Sequence, residues 1–208
     1  MITKKDYFLV STIGFFFGLL LLPVLNNIKF PFAEITFSNA FLIVAGFVIF
    51  ANFALWITSL LSRLFPVLLQ IAKFVAVGGL NTLLDLGILN ILIFISGIAS
   101  GYWYSIFKSI SFIVAVINSY FWNKYWTFGG SKTVSVKEFS QFFVVSLIGF
   151  GINIGLASFV VNVINPISLI GPIGLITPER WANIGALAAT IISLVWNFVG
   201  YKFIVFKK

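Results

Sequence analysis

Lys73-Phe74-Val75-Ala76-Val77-Gly78-Gly79-Leu80-Asn81-Thr82-Leu83-Leu84-Asp85-Leu86-Gly87-Ile88-Leu89-Asn90-Ile91-Leu92-Ile93-Phe94-Ile95 is an apolar run opened by a lysine and interrupted by a carboxylate. A transmembrane helix needs about 20 such residues, and the stretch supplies them. Its only charged group past the lysine is Asp85. A charge near the bilayer centre costs roughly 2.5–3.5 kcal/mol even on the mildest insertion scale, so Asp85 is the first functional candidate.

Outward from this run, five more apolar segments give six predicted spans: Phe8–Leu25, Asn39–Leu61, Phe74–Ile95, Ser105–Trp122, Phe142–Ile164 and Trp181–Tyr201. The fold class expected is an all-α, polytopic transmembrane helix bundle. Lys4 and Lys5 before the first span resemble the start of a signal peptide. That apolar core is longer than a signal peptide requires, and Pro23-Val24-Leu25-Asn26-Asn27 lacks a small-residue cleavage site, so the span is read as retained.

Composition agrees, with 61% of residues hydrophobic and 9% charged. Soluble domains carry roughly half apolar residues and about a quarter charged ones. No polar stretch is long enough for a separate soluble domain. Cys and His are absent, which removes thiol nucleophiles, disulfides and the usual transition-metal ligands. The five carboxylates, Asp6, Glu34, Asp85, Glu138 and Glu179, are scattered, and no two share a predicted helix face. Paired-acid hydrolysis needs two of them about 5–10 Å apart. These features argue against an enzyme, and no catalytic residue, metal site or cofactor is expected.

Loop bases set orientation. With the N-terminus in the cytoplasm, Lys4, Lys5, Arg63, Lys73, Lys124, Lys132, Lys137, Lys202, Lys207 and Lys208 fall inside, and Lys29, Lys108 and Arg180 outside. Both termini are therefore expected in the cytoplasm, and most of the +8 charge is a topology signal rather than a nucleic-acid surface. Part of it can hold anionic headgroups at the inner surface. Residues 123–140 are read as the long cytoplasmic connection and 165–180 as the long outer one, the latter apolar and broken by Pro166, Pro172 and Pro178.

Laid against itself at an offset of 68, the chain sets Phe74 on Phe142, Val77 on Val145, Asp85 on Asn153 and Gly87 on Gly155. At an offset of 78, Lys124 meets Lys202 and Phe128 meets Phe206. This suggests a parallel internal repeat of two-helix hairpins, about 73–128 and 141–206, and transporters often place their substrate at repeat interfaces. Asp85 lies about 18 Å from Lys73 at about 1.5 Å per residue, and Lys108 about 24 Å from Lys124. Either the two pair or Lys108 snorkels to the outer interface. Asn81 shares the Asp85 face one turn away. Asn118, Asn123 and Lys124 cluster at a cytoplasmic helix end, where amides and an ammonium can grip a phosphate. Asn90 reads as an interhelical hydrogen bond. Gly14/Gly18 and Gly151/Gly155 have spacing suited to close helix contact.

The run from Lys73 to Asp85, with Phe74, Gly78, Gly79 and Asn81, and the segment Asn118-Ser119-Tyr120-Phe121-Trp122-Asn123-Lys124-Tyr125-Trp126-Thr127-Phe128 together resemble the GtrA-like family of small membrane proteins. The resemblance implies a four-helix domain over residues 70–208, preceded by a two-helix extension over 1–69. It further implies a bacterial plasma membrane location and movement of polyprenyl-phosphate-linked monosaccharides between leaflets for surface polysaccharide or cell-wall glycosylation. The substrate-binding residues expected on this reading are Asp85, Asn81, Lys108, Asn118, Asn123, Lys124, Asn153, Lys73 and Lys202, with Trp103, Tyr104, Trp122 and Trp126 either stacking on the sugar or, for most of them, anchoring the helices at the interface. Expected partners are the sugar lipid, membrane lipids, a membrane-associated glycosyltransferase and a second copy of the chain. Two other classes stay open: a membrane anchor for a glycosyltransferase, and a small cation or proton-coupled transporter using Asp85.

Overall fold

The structure, a computed structural model, describes residues 2–28, 36–98, 101–130, 133–164 and 178–207. Among these lie six long helices and no strand: α1 (Lys4–Ile28), α2 (Phe37–Leu61), α3 (Val67–Ser96), α4 (Gly101–Trp122), α5 (Val136–Asn162) and α6 (Pro178–Gly200). Five contain stretches long and apolar enough to cross a membrane, namely α1, α2, α3, α5 and α6 with its extension to Val205. The remaining helix, α4, spans about 33 Å at about 1.5 Å per residue, which is also a crossing length. The chain is a multi-pass helical membrane protein. It divides into two compact units, Met1–Ser131 and Lys132–Lys208.

Hydropathy marks only the part of each helix that must avoid water, so every helix starts ahead of its predicted span, although α5 stops at Asn162, short of Ile164. Backbone hydrogen bonding carries α3 from Val67, just after Pro66 and well ahead of Phe74. It stops where Gly97 takes a left-handed φ of 70°, a conformation that costs glycine little. The larger correction falls on the expected loop 123–140. Asn123–Thr127 continues α4 as a π-helical segment and α5 already begins at Val136. Phe128 N–H closes that segment on Asn123 O at 2.8 Å, Gly130 N–H reaches Lys124 O at 2.7 Å, and Gly129 makes the turn at φ 60°. Of the connection expected on the outer side, 165–180, residues 165–177 lie outside the described residues, and Pro178 already opens α6.

In the first unit α1 packs on α2 and α3. A Cβ on Gly14 would sit 2.8 Å from Phe47 O, and one on Gly18 2.8 Å from Val44 Cα. These glycines therefore let α1 and α2 touch backbone to backbone. Asn52 Nδ2 donates to Ser11 Oγ across the same contact at 2.8 Å. The core joins Val10 and Ile13 of α1, Leu55 of α2, Val77 and Leu80 of α3, and Trp126 of the π segment. In the second unit Phe142 is fully buried and stacks on Tyr201 at 4.2 Å, and Trp196 Nε1 donates to Val145 O at 3.1 Å. Its tight glycines are Gly149, facing Asn197, and Gly200, facing Val145. A Cβ at Gly151 or Gly155 would meet nothing within 4 Å, so close contact there is corrected. Spacing alone does not say which face of α5 meets a neighbour.

Each hairpin ends with the same device. A second π segment, Tyr201–Val205, follows α6, at the offset of 78 that also sets Lys124 on Lys202. In both, the cap residue donates five residues back, Phe128 to Asn123 and Phe206 to Tyr201, each at 2.8 Å. π-turns inside α-helices are rare and frequent at functional sites.

Candidate functional site

Along the α3–α4 seam the polar residues meet in steps. Ser111 Oγ donates to Asp85 Oδ1 at 2.6 Å, from a serine with no exposed surface. One turn of α3 nearer the cytoplasmic end read from sequence, Asn118 Nδ2 donates to Asn81 Oδ1 at 2.7 Å. Below that, Lys124 Nζ donates to Tyr120 Oη at 3.3 Å, both residues being fully buried. The lysine also lies 5.5 Å from the Tyr120 ring and 5.9 Å from the Tyr125 ring. Both rings are in range for cation–π attraction. Asn123 Nδ2 turns back to Ser119 O and Oγ at 2.9 and 3.2 Å. Asp85–Ser111 and Asn81–Asn118 thus join α3 to α4 at successive turns, and Lys124 lies buried beyond the end of α4 beside Tyr120 and Tyr125.

Not every polar atom here is satisfied. Asn81 Nδ2, Asn123 Oδ1 and Thr127 Oγ1 are buried and make no hydrogen bond within the protein. Buried polar groups normally find partners. A buried amide N–H beside a half-buried carboxyl group gives the seam both a donor and an acceptor.

The second unit carries its own polar seam. Asn153 Nδ2 donates to Thr190 Oγ1 at 3.2 Å and Ser193 Oγ at 3.3 Å, and Ser146 Oγ shares a 2.7 Å hydrogen bond with Tyr201 Oη. Asn197 Oδ1 is buried without a partner. Lys202 Nζ lies 5.6 Å from the Phe198 ring and 5.5 Å from the Phe203 ring. Asn90, expected to bond across helices, donates instead to Leu86 O of its own helix at 2.8 Å. The side chains of Lys108 and Tyr104 lie outside the described residues, and with them the choice between an Asp85–Lys108 pair and a snorkelling Lys108.

Lys73 is engaged by a residue the sequence reading passed over. Its ammonium forms an ion pair with Asp6 of α1, with the side chains 13% and 8% exposed. Trp126 Nε1 donates to the same carboxylate oxygen at 2.9 Å, and Lys73 lies 5.3 Å from the Trp126 ring centroid. The other Asp6 oxygen accepts from Thr3 N–H and Thr3 Oγ1, each at 2.8 Å, while Asp6 N–H returns to Thr3 Oγ1 at 3.3 Å. This is a capping box, in which Thr3 and Asp6 each satisfy the other's free N–H. Thr-Lys-Lys-Asp ahead of an apolar run is its sequence signal. What the sequence does not give is that the spare oxygen holds Lys73 and Trp126. Trp126, 7% exposed and committed to Asp6, is a structural ring, whereas Trp103 is 53% exposed.

Among the described residues no cluster of three or more His, Cys, Asp or Glu could hold a metal. The GtrA/DPMS transmembrane-domain family matches residues 73–206, which takes in both hairpins and leaves α1 and α2 outside. An uncharacterized membrane protein of Bacillus subtilis (strain 168), YngA, is 29% identical over 136 residues, covering 65% of this chain and 78% of that protein. No solved structure matches this chain.

Proposed function

We propose that this chain, which belongs to the GtrA/DPMS transmembrane-domain family, moves a polyprenyl-phosphate-linked monosaccharide from the inner to the outer leaflet of a bacterial plasma membrane. That family is linked to polyprenyl-phosphate sugar flipping. The observation that carries the reading is the stepped polar seam of α3 and α4, at Asn81–Asn118 and Asp85–Ser111, inside an apolar hairpin whose end carries the buried Lys124. A sugar phosphate crossing the bilayer needs polar partners at each depth while its prenyl chain stays in lipid. An unmatched amide or hydroxyl moved from water to alkane costs about 4–8 kcal/mol. Asn81 Nδ2 would donate to a sugar hydroxyl or a phosphate oxygen, and Asn123 Oδ1 would accept from a sugar hydroxyl. Asn153, with Thr190 and Ser193, would do the same within the second hairpin. On this reading residues 1–69 are a two-helix addition to a four-helix domain over 70–208, and the product feeds surface polysaccharide or cell-wall glycosylation through a partner glycosyltransferase.

The test is reconstitution in vesicles with a radiolabelled polyprenyl-phosphate monosaccharide confined to one leaflet. Periodate that cannot cross the membrane should oxidise the label from the opposite side much faster with protein than without. Equal rates would overturn the reading in favour of a non-transporting partner.

Orientation follows from the bases, ten on the side of the N-terminus against three opposite. A cysteine placed at Ser131 should react with an impermeant thiol reagent only from the cytoplasmic side, and one at Ser168 only from outside. Reversed labelling would invert the proposed path.

A further inference from the structure

α1, α2 and α3 enclose between them a groove of about 570 Å³ that the polar seam does not use. It exists because small residues face one another there: Ala51 and Ala54 on α2, and Ala72, Ala76 and Gly79 on α3. Its lining is apolar apart from Thr58, Lys73 and the Trp126 indole. On its rims Phe50 is 65%, Val75 51% and Leu61 50% exposed, on helices that are themselves membrane spans. The opening therefore faces hydrocarbon rather than water. An apolar hollow open to hydrocarbon fills with it, because its lining atoms otherwise forgo their dispersion partners.

We infer that this groove seats the isoprenoid chain of the lipid-linked substrate, with the phosphate end toward Lys73. The inference rests on the transport reading above and deepens it. Two features fit a single-chained lipid phosphate. One is charge, since Lys73 is the only cation among the described residues of the lining. An ammonium has three N–H donors, so a phosphate oxygen can join Asp6 on it without displacing the carboxylate. The other is continuity, because α3 lines the groove with Ala72, Ala76 and Gly79 and carries Asn81 and Asp85 of the polar seam on the following turns. A ligand with one long chain and one polar head has a place for each on a single helix. α1 and α2, which lie outside the family match, would thereby supply two of the groove's three walls.

The experiment uses the full chain in vesicles of phosphatidylethanolamine and phosphatidylglycerol with a polyprenyl phosphate bearing a diazirine in its isoprenoid chain. After illumination, adducts mapped by mass spectrometry should concentrate several-fold in the α1, α2 and α3 segments that line the groove. Unlabelled polyprenyl phosphate should displace them and added phosphatidylglycerol should not. Ala54→Phe, which fills the groove, should cut the yield several-fold, and Ile49→Phe on an exposed position of α2 should leave it unchanged. Adducts spread evenly over all exposed helix faces, or displaced equally by phosphatidylglycerol, would overturn the inference. So would undiminished labelling of a folded Ala54→Phe protein; if that variant does not fold, the wild-type map decides alone. Labelling requires no transport. A protein that labels in the groove but moves no sugar lipid retires the transport reading and keeps the groove, and one that transports without labelling there does the reverse.

Discussion

Replacing Asp85 with leucine is expected to leave a folded protein that has lost sugar-lipid transport. The carboxylate is half-buried in α3 and takes a 2.6 Å hydrogen bond from Ser111. If that bond served only to hold α3 against α4, its loss would cost about 0.6 kcal/mol, and about 1.7 kcal/mol at most. Ser111 can turn its hydroxyl to a carbonyl of its own helix, which softens the loss further. A charge at mid-membrane costs roughly 2.5–3.5 kcal/mol on the insertion scale, so the leucine variant should insert at least as readily as the parent. Transport should nevertheless fall by at least about tenfold, equivalent to about 1.4 kcal/mol on the barrier. Asp85→Asn keeps an acceptor for Ser111 and deletes only the charge, and asparagine already stands at the equivalent offset, Asn153. It should fold normally and transport poorly. Melting temperature and vesicle transport, measured on both variants, decide the matter: a stable Asp85→Leu protein with full transport removes Asp85 from the path.

The second large effect is on stability and comes from Asp6, outside the family match, which holds Lys73 and Trp126 within it. Asp6→Leu leaves the Lys73 ammonium, whose side chain is 13% exposed, without its counter-ion. Stranding a buried charge in this way should cost about 3–5 kcal/mol. Trp126 Nε1 loses its acceptor at the same time, and the capping box opens. Adding Lys73→Met removes the stranded charge and should recover most of the loss. Thr3→Ala disturbs only the cap and should cost about 1 kcal/mol. Thermal unfolding in detergent across these variants and the parent measures the coupling. If the single Asp6→Leu change and the double variant unfold alike, Asp6 and Lys73 do not depend on each other.

These two sites differ in how far the sequence reveals them. Asp85 stands out because nothing else in the Lys73–Ile95 run is charged beyond its first residue, and hydropathy alone sets its depth. Even its partner was within reach of the same arithmetic. Ser111 lies about 20 Å from Lys124 at about 1.5 Å per residue, which matches the roughly 18 Å of Asp85 better than the roughly 24 Å of Lys108. Asp6 was hidden for a different reason. Its position beside two lysines at the start of a span looks like a solvated end, and only the packing of α1 on α3 and the π segment brings its second oxygen to Lys73 and Trp126. The π segments were also invisible, because Asn123–Thr127 and Tyr201–Val205 differ from an α-helix in hydrogen-bond register and not in side-chain pattern. Glycine spacing succeeded at Gly14 and Gly18 and failed at Gly151 and Gly155, since a small residue permits close approach without dictating it.

A polar seam through the bilayer should pass an anionic sugar headgroup selectively, and selectivity is what a vesicle experiment reads most directly. Vesicles containing the protein would carry two labelled lipids in one leaflet, a polyprenyl-phosphate monosaccharide and phosphatidylglycerol, and the appearance of each on the far side would be followed in the same sample. The polar seam predicts that the protein accelerates the sugar lipid and leaves phosphatidylglycerol at its protein-free rate, with the difference abolished by Asp85→Leu. Equal acceleration of both lipids, or of neither, would contradict it.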